Sequence, residues 1–545
     1  MTPSKNRSDL LKKIADSEYD LIVIGGGITG AGIALDATSR GLKTLLLEKR
    51  DFASGTSSKS TKLIHGGLRY LKQFEIALVR EVGMERATVH SLAPHLVKAE
   101  KMLLPLIKDG TYGKILTSLG LMVYDVLAGV EKADQRKMLS KEETLEIEPL
   151  LKDDILDGGG IYAEYRTDDA RLTIEILKTA ASHGADILNY AKATDFIYDD
   201  EERVEGVSWR DNLSGEEFKS KTKFVINATG PWVDKVRSKD HEVGGKRLRP
   251  TMGIHIVVPH EKLPIKHAVY FDEPEGRMLF AIPRDRSTYV GTTDTNYEGD
   301  LDELMVKKED VQYLIDGSNH IFPKSPLKVE DVESTWVGLR PLIEEEGKSA
   351  SEVSRKDEIF ESDSGLLSIA GGKLTGYRKM AERIVNKVAK RAEKEGIKTK
   401  PCSTETIVIS GGPFKNETEV DSYTQEVSSR LNEHSIGEMA NYLVSNYGKQ
   451  TDEILALFDK SDNNDPHVRL GLAELAFTLE NESTFTLLDF FERRTGRLYF
   501  NINSIEQLKV PVAQEMKTYF SWDEEKLNSE LKSLEEVMHR SSHFV

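Results

Sequence analysis

The strongest constraint on this chain is a glycine-rich turn set between a strand and a helix near its beginning. Tyr19-Asp20-Leu21-Ile22-Val23-Ile24 is an apolar, β-branched run of the kind that forms a buried parallel strand. Gly25, Gly27 and Gly30 follow in G-x-G-x-x-G spacing, and Ile28–Arg40 has the small and apolar residues of a helix packed on a sheet. A second short strand, Thr44–Leu47, ends at Glu48, eighteen residues beyond Gly30. Strand, turn, helix, strand and terminal acid together form the dinucleotide-binding fingerprint. The glycines permit a tight turn and bring a pyrophosphate close to the helix N-terminus, whose dipole favours anions. Glu48 can accept both hydrogen bonds of an adenosine ribose diol, and its charge repels a 2′-phosphate. NADP is thereby disfavoured; NAD and FAD remain.

Two features favour FAD. After Glu48 the chain does not continue through regular strand–helix repeats. It enters the polar stretch Ser54–Tyr70, in which Thr56, Ser57, Ser58, Lys62, Leu63, His65, Gly66 and Gly67 can wrap a cofactor's phosphates and flavin edge. Nucleotide-type signals also recur late. Lys223–Trp232 reads as a strand ending in a small-residue turn at Ala228 and Gly230, and Leu366–Tyr377 as a strand and glycine turn opening a helix over Tyr377–Lys390. Gly372, Leu374 and Thr375 would present helix-terminal amides, which stabilise the electron-rich edge of a reduced flavin. No second complete fingerprint follows: Gly158-Gly159-Gly160 leads into Ile161-Tyr162 rather than a helix. One fingerprint suggests a substrate that delivers its hydride directly to the flavin.

Composition narrows the remaining classes. A length of 545 residues implies two to four structural units, and 39% hydrophobic with 30% charged residues is ordinary for a globular chain. The formal charge of −17 argues against generic nucleic-acid binding, which needs phosphate neutralisation. The one cysteine, Cys402, can form neither an internal disulfide nor a cysteine-based zinc site; no metal is expected, and Cys402 has no identified role. Residues 1–20 lack the apolar core of a signal peptide, and the most apolar stretch, Ile115–Val130, is short for a span and carries Asp125. These features suggest a reduced, cytoplasmic setting.

Residues 151–215 and 241–345 contain short alternating strands such as Ile254–Val258, Met278–Ile282 and Thr288–Thr293, which read as an antiparallel sheet carrying a substrate pocket. The expected class is α/β: a Rossmann-type FAD-binding domain (about 17–90, 150–240 and 355–390) interleaved with an antiparallel-sheet substrate domain (about 91–149 and 241–354). Charged residues and Pro401 mark a linker at 391–404, and an α-helical C-terminal cap follows over 405–545. Helical spacing is found at Val420–Leu431, Gly437–Tyr447, Gln450–Asp459, Pro466–Asn481, Ser483–Arg494 and Trp522–His539. Arg493, Arg494 and Arg497 read as a solvated helix end, with an acidic ligand as the alternative.

Gly25–Gly30, the run ending His65-Gly66-Gly67-Leu68-Arg69-Tyr70, Asn227–Trp232, Gly338-Leu339-Arg340-Pro341-Leu342 and Gly371–Arg378 occur in this order. Together they resemble the FAD-dependent glycerol-3-phosphate dehydrogenases of aerobic metabolism, within the D-amino-acid-oxidase-like flavoproteins, from about Tyr19 to Lys390. The resemblance implies oxidation of sn-glycerol 3-phosphate to dihydroxyacetone phosphate, with hydride passing from C2 to flavin N5 and electrons on to a membrane quinone. It also implies that Arg69, Tyr70, His255, Arg340, Arg355 and Lys373 surround the substrate. The chemistry of these side chains suits such a role. Arginine forks grip phosphate oxygens and Lys373 adds a point charge, although each cation could instead belong to a structural ion pair. Alcohol oxidation needs a base, and histidine is the natural one near neutral pH. His255 lies opposite Ile254 and Ile256 on its strand and is the first candidate; Arg340 could share the role by holding the alkoxide. Lys373 would stabilise negative charge at substrate or flavin. Asp168, Asp169 and Arg171 read chiefly as a helix cap followed by a core helix.

A quinone reductase must reach the bilayer, so peripheral attachment to the inner face of the cell membrane is an accompanying expectation. Tyr70–Arg86 and Lys101–Val130 are the candidate contacts, each also readable as core. The oxygen-using oxidase relatives carry a longer mid-chain insertion than this spacing allows, which favours the dehydrogenase. The competing readings are an oxygen-using glycerol-3-phosphate oxidase, an amine or amino-acid oxidase of the same fold, and a non-catalytic dinucleotide-binding regulator. A homodimer is compatible with the sequence.

Overall fold

The computed structural model describes residues 1, 3–65, 76–108, 110, 136–241, 243–273, 275–344 and 357–544. Two sheets carry the architecture. In the first, Tyr19–Ile24 lies between Thr44–Leu47 and Glu217–Asn227, and Asp186–Leu188 and Leu367–Gly371 extend it outward, all parallel. Asp357–Glu361 closes one edge antiparallel. The inner strands are hydrophobic on both sides because both faces are covered. Helices Ile28–Ser39, Asp169–Ser182 and Tyr377–Lys394 bury one face, with Ile33, Leu172, Ile176, Ile384 and Val385 in a common core. Helix Arg7–Ala15 and the hairpin Ala191–Tyr198/Val204–Asp211 cover the other, around Ile14, Ile22, Val207 and Trp209.

Among the described residues the second sheet has ten strands, paired antiparallel except where Lys98–Ile107 meets Ala268–Asp272. Leu248–Pro259 lies between Ser287–Gly291 and Ser334–Ile343. Along it, Ile254, Ile256 and Val258 face helix Lys308–Ile321, whereas Val257 joins Tyr289 and Trp336 in a core shared with the C-terminal helices. His255 therefore projects toward the Trp336 side, as strand alternation requires. Leu156–Arg166, grouped on sequence with the nucleotide half, instead pairs with Lys98–Ile107 in this second sheet, because its hydrophobic register completes the pleat there. Lys101–Ile107, the described start of one candidate membrane contact, is that same internal strand; 111–130 lie outside the described residues. The described part of the other contact forms helix Ile76–Leu92, which buries Glu85 against Arg378 and Arg86 against Glu164. Among the described residues no helix is long and apolar enough to cross a membrane.

The C-terminal helices serve two cores. Glu417–Asn432, Met439–Tyr447, Thr451–Lys460 and Pro466–Asn481 pack on one another. Ile502–Phe520 and Glu524–Ser542 pack instead on the second sheet through Leu508, Met516, Leu527 and Leu534. Ser483–Arg494 narrows to a π-helical turn at Asp489–Arg494. Its arginines are neither solvated nor open to an acidic ligand: Arg493 and Arg494 grip the buried Asp51 at 2.5 and 2.6 Å, and Arg497 pairs with Glu474 at 2.6 Å. Arg171 is likewise buried against Glu482 at 2.6 Å. Such charges are tolerated inside because each is paired and hydrogen-bonded. They join the C-terminal helices to the first sheet.

Candidate active site

One cavity of about 660 Å³ runs from the C-terminal ends of the first sheet's strands to the second sheet. Its first end is built from backbone. Gly25 has φ +116°, and a Cβ there would stand 2.6 Å from the Ala228 carbonyl; a Cβ on Gly30 would stand 1.9 Å from that of Gly25. Gly30 thus closes the turn from behind, while Gly25, Gly27, Ala228 and Gly230 line the cavity. Ser57 Oγ accepts from the Ile28 amide at 2.9 Å and caps the helix that Gly27 leaves without a side chain. Glu48 accepts from the Gly26 amide at 2.7 Å and the Arg50 amide at 2.9 Å, one bond on each carboxylate oxygen. Each oxygen keeps a lone pair for a ribose hydroxyl. Burial raises the Glu48 pKa, and the two amides oppose that rise.

The far end is built from side chains on two strands, Leu248–Pro259 and Ser334–Ile343, on the turn after Leu367–Gly371 and on the loop around Thr61. In the pairing of Leu248–Pro259 with Ser334–Ile343, His255 stands opposite Trp336, Gly253 opposite Gly338 and Thr251 opposite Arg340. At this end the cavity is a hollow lined by both glycines, His255 and Arg340. The Arg340 guanidinium fills the space over Gly253, where a Cβ would meet it at 2.5 Å, and the backbone of Lys59 lies against Gly338. Arg340 donates to Asp294 and Thr292 at 2.9 Å each. His255 is buried, stacked on Trp336 at 4.7 Å between ring centroids, and bonded through Nε2 to Thr61 Oγ1 at 3.0 Å. Its Nδ1 has no hydrogen-bond partner among the described residues. Burial first, then the charges of Arg340 and Lys62, hold its pKa well below the ordinary histidine value, so the ring is a free base at neutral pH. Lys373 stands at the N-terminus of the turn Leu374–Gly376 that opens helix Tyr377–Lys394, and Thr375 donates to the His65 carbonyl at 3.2 Å.

The cavity lining therefore brings together Gly25, Gly27, Glu48, Thr56, Ser57, Leu63, His65, Ala228, Gly230, His255, Arg340, Gly372, Lys373, Leu374 and Thr375. Ser58 and Lys62 stand outside it: Ser58 is buried beneath the loop, and the Lys62 ammonium is held by Asp169 at 2.5 Å and the Ser58 carbonyl at 2.9 Å. The Lys62 side chain thus anchors the loop. Asp168 caps helix Asp169–Ser182, accepting from the Arg171 amide at 3.1 Å, as its sequence context indicates. Gly66, Gly67, Arg69, Tyr70 and Arg355 lie outside the described residues. Sequence reasoning passes over Thr61 and Lys59, both cavity-lining and both inside the polar stretch Ser54–Tyr70. Their signal is the stretch itself, too rich in hydroxyls to single out one of them.

The FAD-dependent oxidoreductase family model matches residues 20–378, and that of the C-terminal domain of alpha-glycerophosphate oxidase matches residues 402–527. The chain is 50% identical over 542 residues to the aerobic glycerol-3-phosphate dehydrogenase of Bacillus subtilis (strain 168), covering 98% of this chain and 97% of that protein. It is 50% identical over 536 residues to that of Staphylococcus haemolyticus (strain JCSC1435), covering 97% and 96%. The crystal structure of the glycerol-3-phosphate dehydrogenase from Bacillus halodurans complexed with FAD superposes with a TM-score of 0.85 at 42% identity, over 100% of this chain and 99% of that one. The chain belongs to the FAD-dependent oxidoreductases and, within them, to the aerobic glycerol-3-phosphate dehydrogenase family. FAD is its cofactor, and the cradle fits it: a side chain at Gly25 or Gly30 would occupy the turn, and Glu48 keeps acceptor capacity where a ribose diol binds.

Proposed function

We propose that this protein oxidises sn-glycerol 3-phosphate to dihydroxyacetone phosphate and passes the electrons to a membrane quinone. The observation that carries the reading is the continuous cavity joining the dinucleotide turn to His255, Arg340 and Lys373. Oxidation removes a hydride from C2 and a proton from its hydroxyl. When bound, FAD supplies the acceptor for the hydride. His255, uncharged through burial, takes the proton. Arg340 is held by Asp294 and Thr292 on the wall of the hollow, where its positive charge stabilises the developing alkoxide. Lys373 adds positive charge beside the turn at 374–376. Arg69, Tyr70 and Arg355 complete the proposal as substrate-binding residues. Peripheral membrane contact and a homodimer belong to the same proposal.

The test is anaerobic addition of sn-glycerol 3-phosphate to the purified flavoprotein. Loss of the flavin's visible absorbance is expected; bleaching by D-alanine or sarcosine, but not by glycerol 3-phosphate, would overturn the reading. A second acceptor, oxygen, has one observation in its favour: the C-terminal match is to a domain named for an oxidase. Reoxidation of the reduced protein separates the two. A soluble quinone should act faster than air-saturated buffer, and rapid stoichiometric peroxide would favour oxygen.

A further inference from the structure

The loop from Ser58 to Lys62 is fixed from several sides. Trp336 Nε1 donates to the Ser60 carbonyl at 3.1 Å, and Tyr289 Oη donates to the Thr61 carbonyl at 3.1 Å. Asp169, buried in the first turn of its helix, accepts from the Ser60 amide at 3.0 Å and the Ser60 hydroxyl at 2.7 Å. Lys62 adopts a left-handed backbone, φ +58°, rare for a residue with a long side chain. Its ammonium folds back onto Asp169 and the Ser58 carbonyl and lies 5.4 Å from the centre of the Trp336 ring. Strain of this kind persists where surrounding bonds over-determine it, and it gathers at functional sites.

The Thr61 hydroxyl is the polar group this scaffold presents to the base. It lies 3.0 Å from His255 Nε2. The two aromatics that hold the loop backbone also border the imidazole: Trp336 stacks on it at 13° and 4.7 Å, and the Tyr289 ring lies at 6.4 Å. Loop and ring are thus located by the same pair of side chains. His255 Nδ1 is shielded from solvent and without a partner among the described residues. A proton on Nδ1 would leave a buried N–H with no acceptor, the rarer and costlier kind of orphan. A proton on Nε2 has the Thr61 oxygen to receive it. The charges acting on the ring are Arg340, from the facing strand, and Lys62, from the loop.

We infer that Thr61 is a positioning residue for His255: its hydroxyl, bonded to Nε2, fixes the orientation and tautomer of the ring, while the Lys62–Asp169 pair keeps that hydroxyl in place. This rests on the reading of His255 as the base. The hydrogen bond on one ring nitrogen decides the state of the other, and here the deciding partner is an uncharged hydroxyl. The same hydroxyl holds the imidazolium more strongly than the neutral ring, because a charged N–H is the stronger donor.

The test uses the holoenzyme with Thr61→Val, which keeps the shape and removes the hydroxyl, and with Thr61→Ser, which restores it. In the valine variant, kcat should fall roughly tenfold, the worth of one such hydrogen bond, with KM little changed. The acid limb of the pH profile should move to lower pH, because the imidazolium has lost its acceptor. Thr61→Ser should recover both, and flavin content and visible spectrum should match the parent in each. A valine variant with the parental rate and acid limb would overturn the inference, as would a serine variant as impaired as valine. The underlying reading fails separately: a His255→Ala protein reduced at the parental rate removes the base itself, whereas a dead His255→Ala beside an unaffected Thr61→Val removes Thr61's role alone.

Discussion

The two ends of the cavity are made of different material. At the dinucleotide end the surface is backbone: Gly25, Gly27, Ala228 and Gly230, with Glu48 as the acid at the strand end. At the oxidising end it is side chains, from residues 61, 255, 340 and 373, which reach one hollow only after both sheets have formed. A backbone site is specified by what is missing, since a Cβ on Gly30 would lie 1.9 Å from a carbonyl oxygen. A side-chain site is specified by what neighbours supply: Trp336 and Thr61 for His255, Asp294 and Thr292 for Arg340. The first should fail as loss of cofactor, the second as loss of rate with cofactor retained.

The largest effect is expected at the side-chain end. His255→Ala should slow anaerobic flavin reduction by about 10²–10⁴-fold, the usual worth of a general base, with FAD content intact. Stopped-flow absorbance measures it, and an unchanged rate would clear His255 of the role. Co-purification without flavin would instead break the separation between the two ends. Gly30→Ala should do the reverse. The added methyl must displace the Gly25 carbonyl, an overpacking cost of roughly 1–3 kcal/mol, so FAD should bind on the order of tenfold more weakly or worse. Flavin fluorescence titration of the apoprotein reads this directly. The reduction rate per bound flavin should stay near the parent's; a rate loss like that of His255→Ala would show that the ends are not independent.

The same contrast explains what the sequence disclosed. Tyr19–Ile24, Thr44–Leu47 and Pro466–Asn481 form the elements their periodicity indicates, with the same ends, because local pattern and tertiary burial agree there. Helix Ile502–Phe520 has no such legibility, because Pro511 interrupts the pattern; burial of Val512, Ala513 and Met516 carries the helix through it. Arg493 and Arg494 read as solvated because charges usually are, and the carboxylate that buries them, Asp51, lies more than 400 residues earlier in the chain. The Lys62 ion pair is hidden for a similar reason. The lysine's place in a cofactor-type stretch is visible locally, but Asp169, which claims it, is 107 residues away. Glycine spacing is local information; ion-pair closure is not.

The smallest expected effect concerns pH, and it sharpens the contrast because one group at the side-chain end should dominate it. His255 is buried beside Arg340 and Lys62, and its pKa is pushed well below the ordinary value of about 6.5. The imidazole is therefore already deprotonated at neutral pH, and the reduction rate should be flat through that range. It should fall only when the pH drops below the usual histidine titration, so an acid limb centred at or above about 6.5 would contradict the burial argument. Stability should move with the same sign. Between its folded and unfolded pKa values the histidine binds fewer protons when folded, so acidification below about 6.5 draws the equilibrium toward the unfolded chain. In His255→Gln, which cannot take up that proton, the decline in melting temperature over the same interval should be shallower than in the parent. An identical decline in both proteins would assign the acid sensitivity to other groups, of which the buried His95, itself pushed down to about 3, is the first to test.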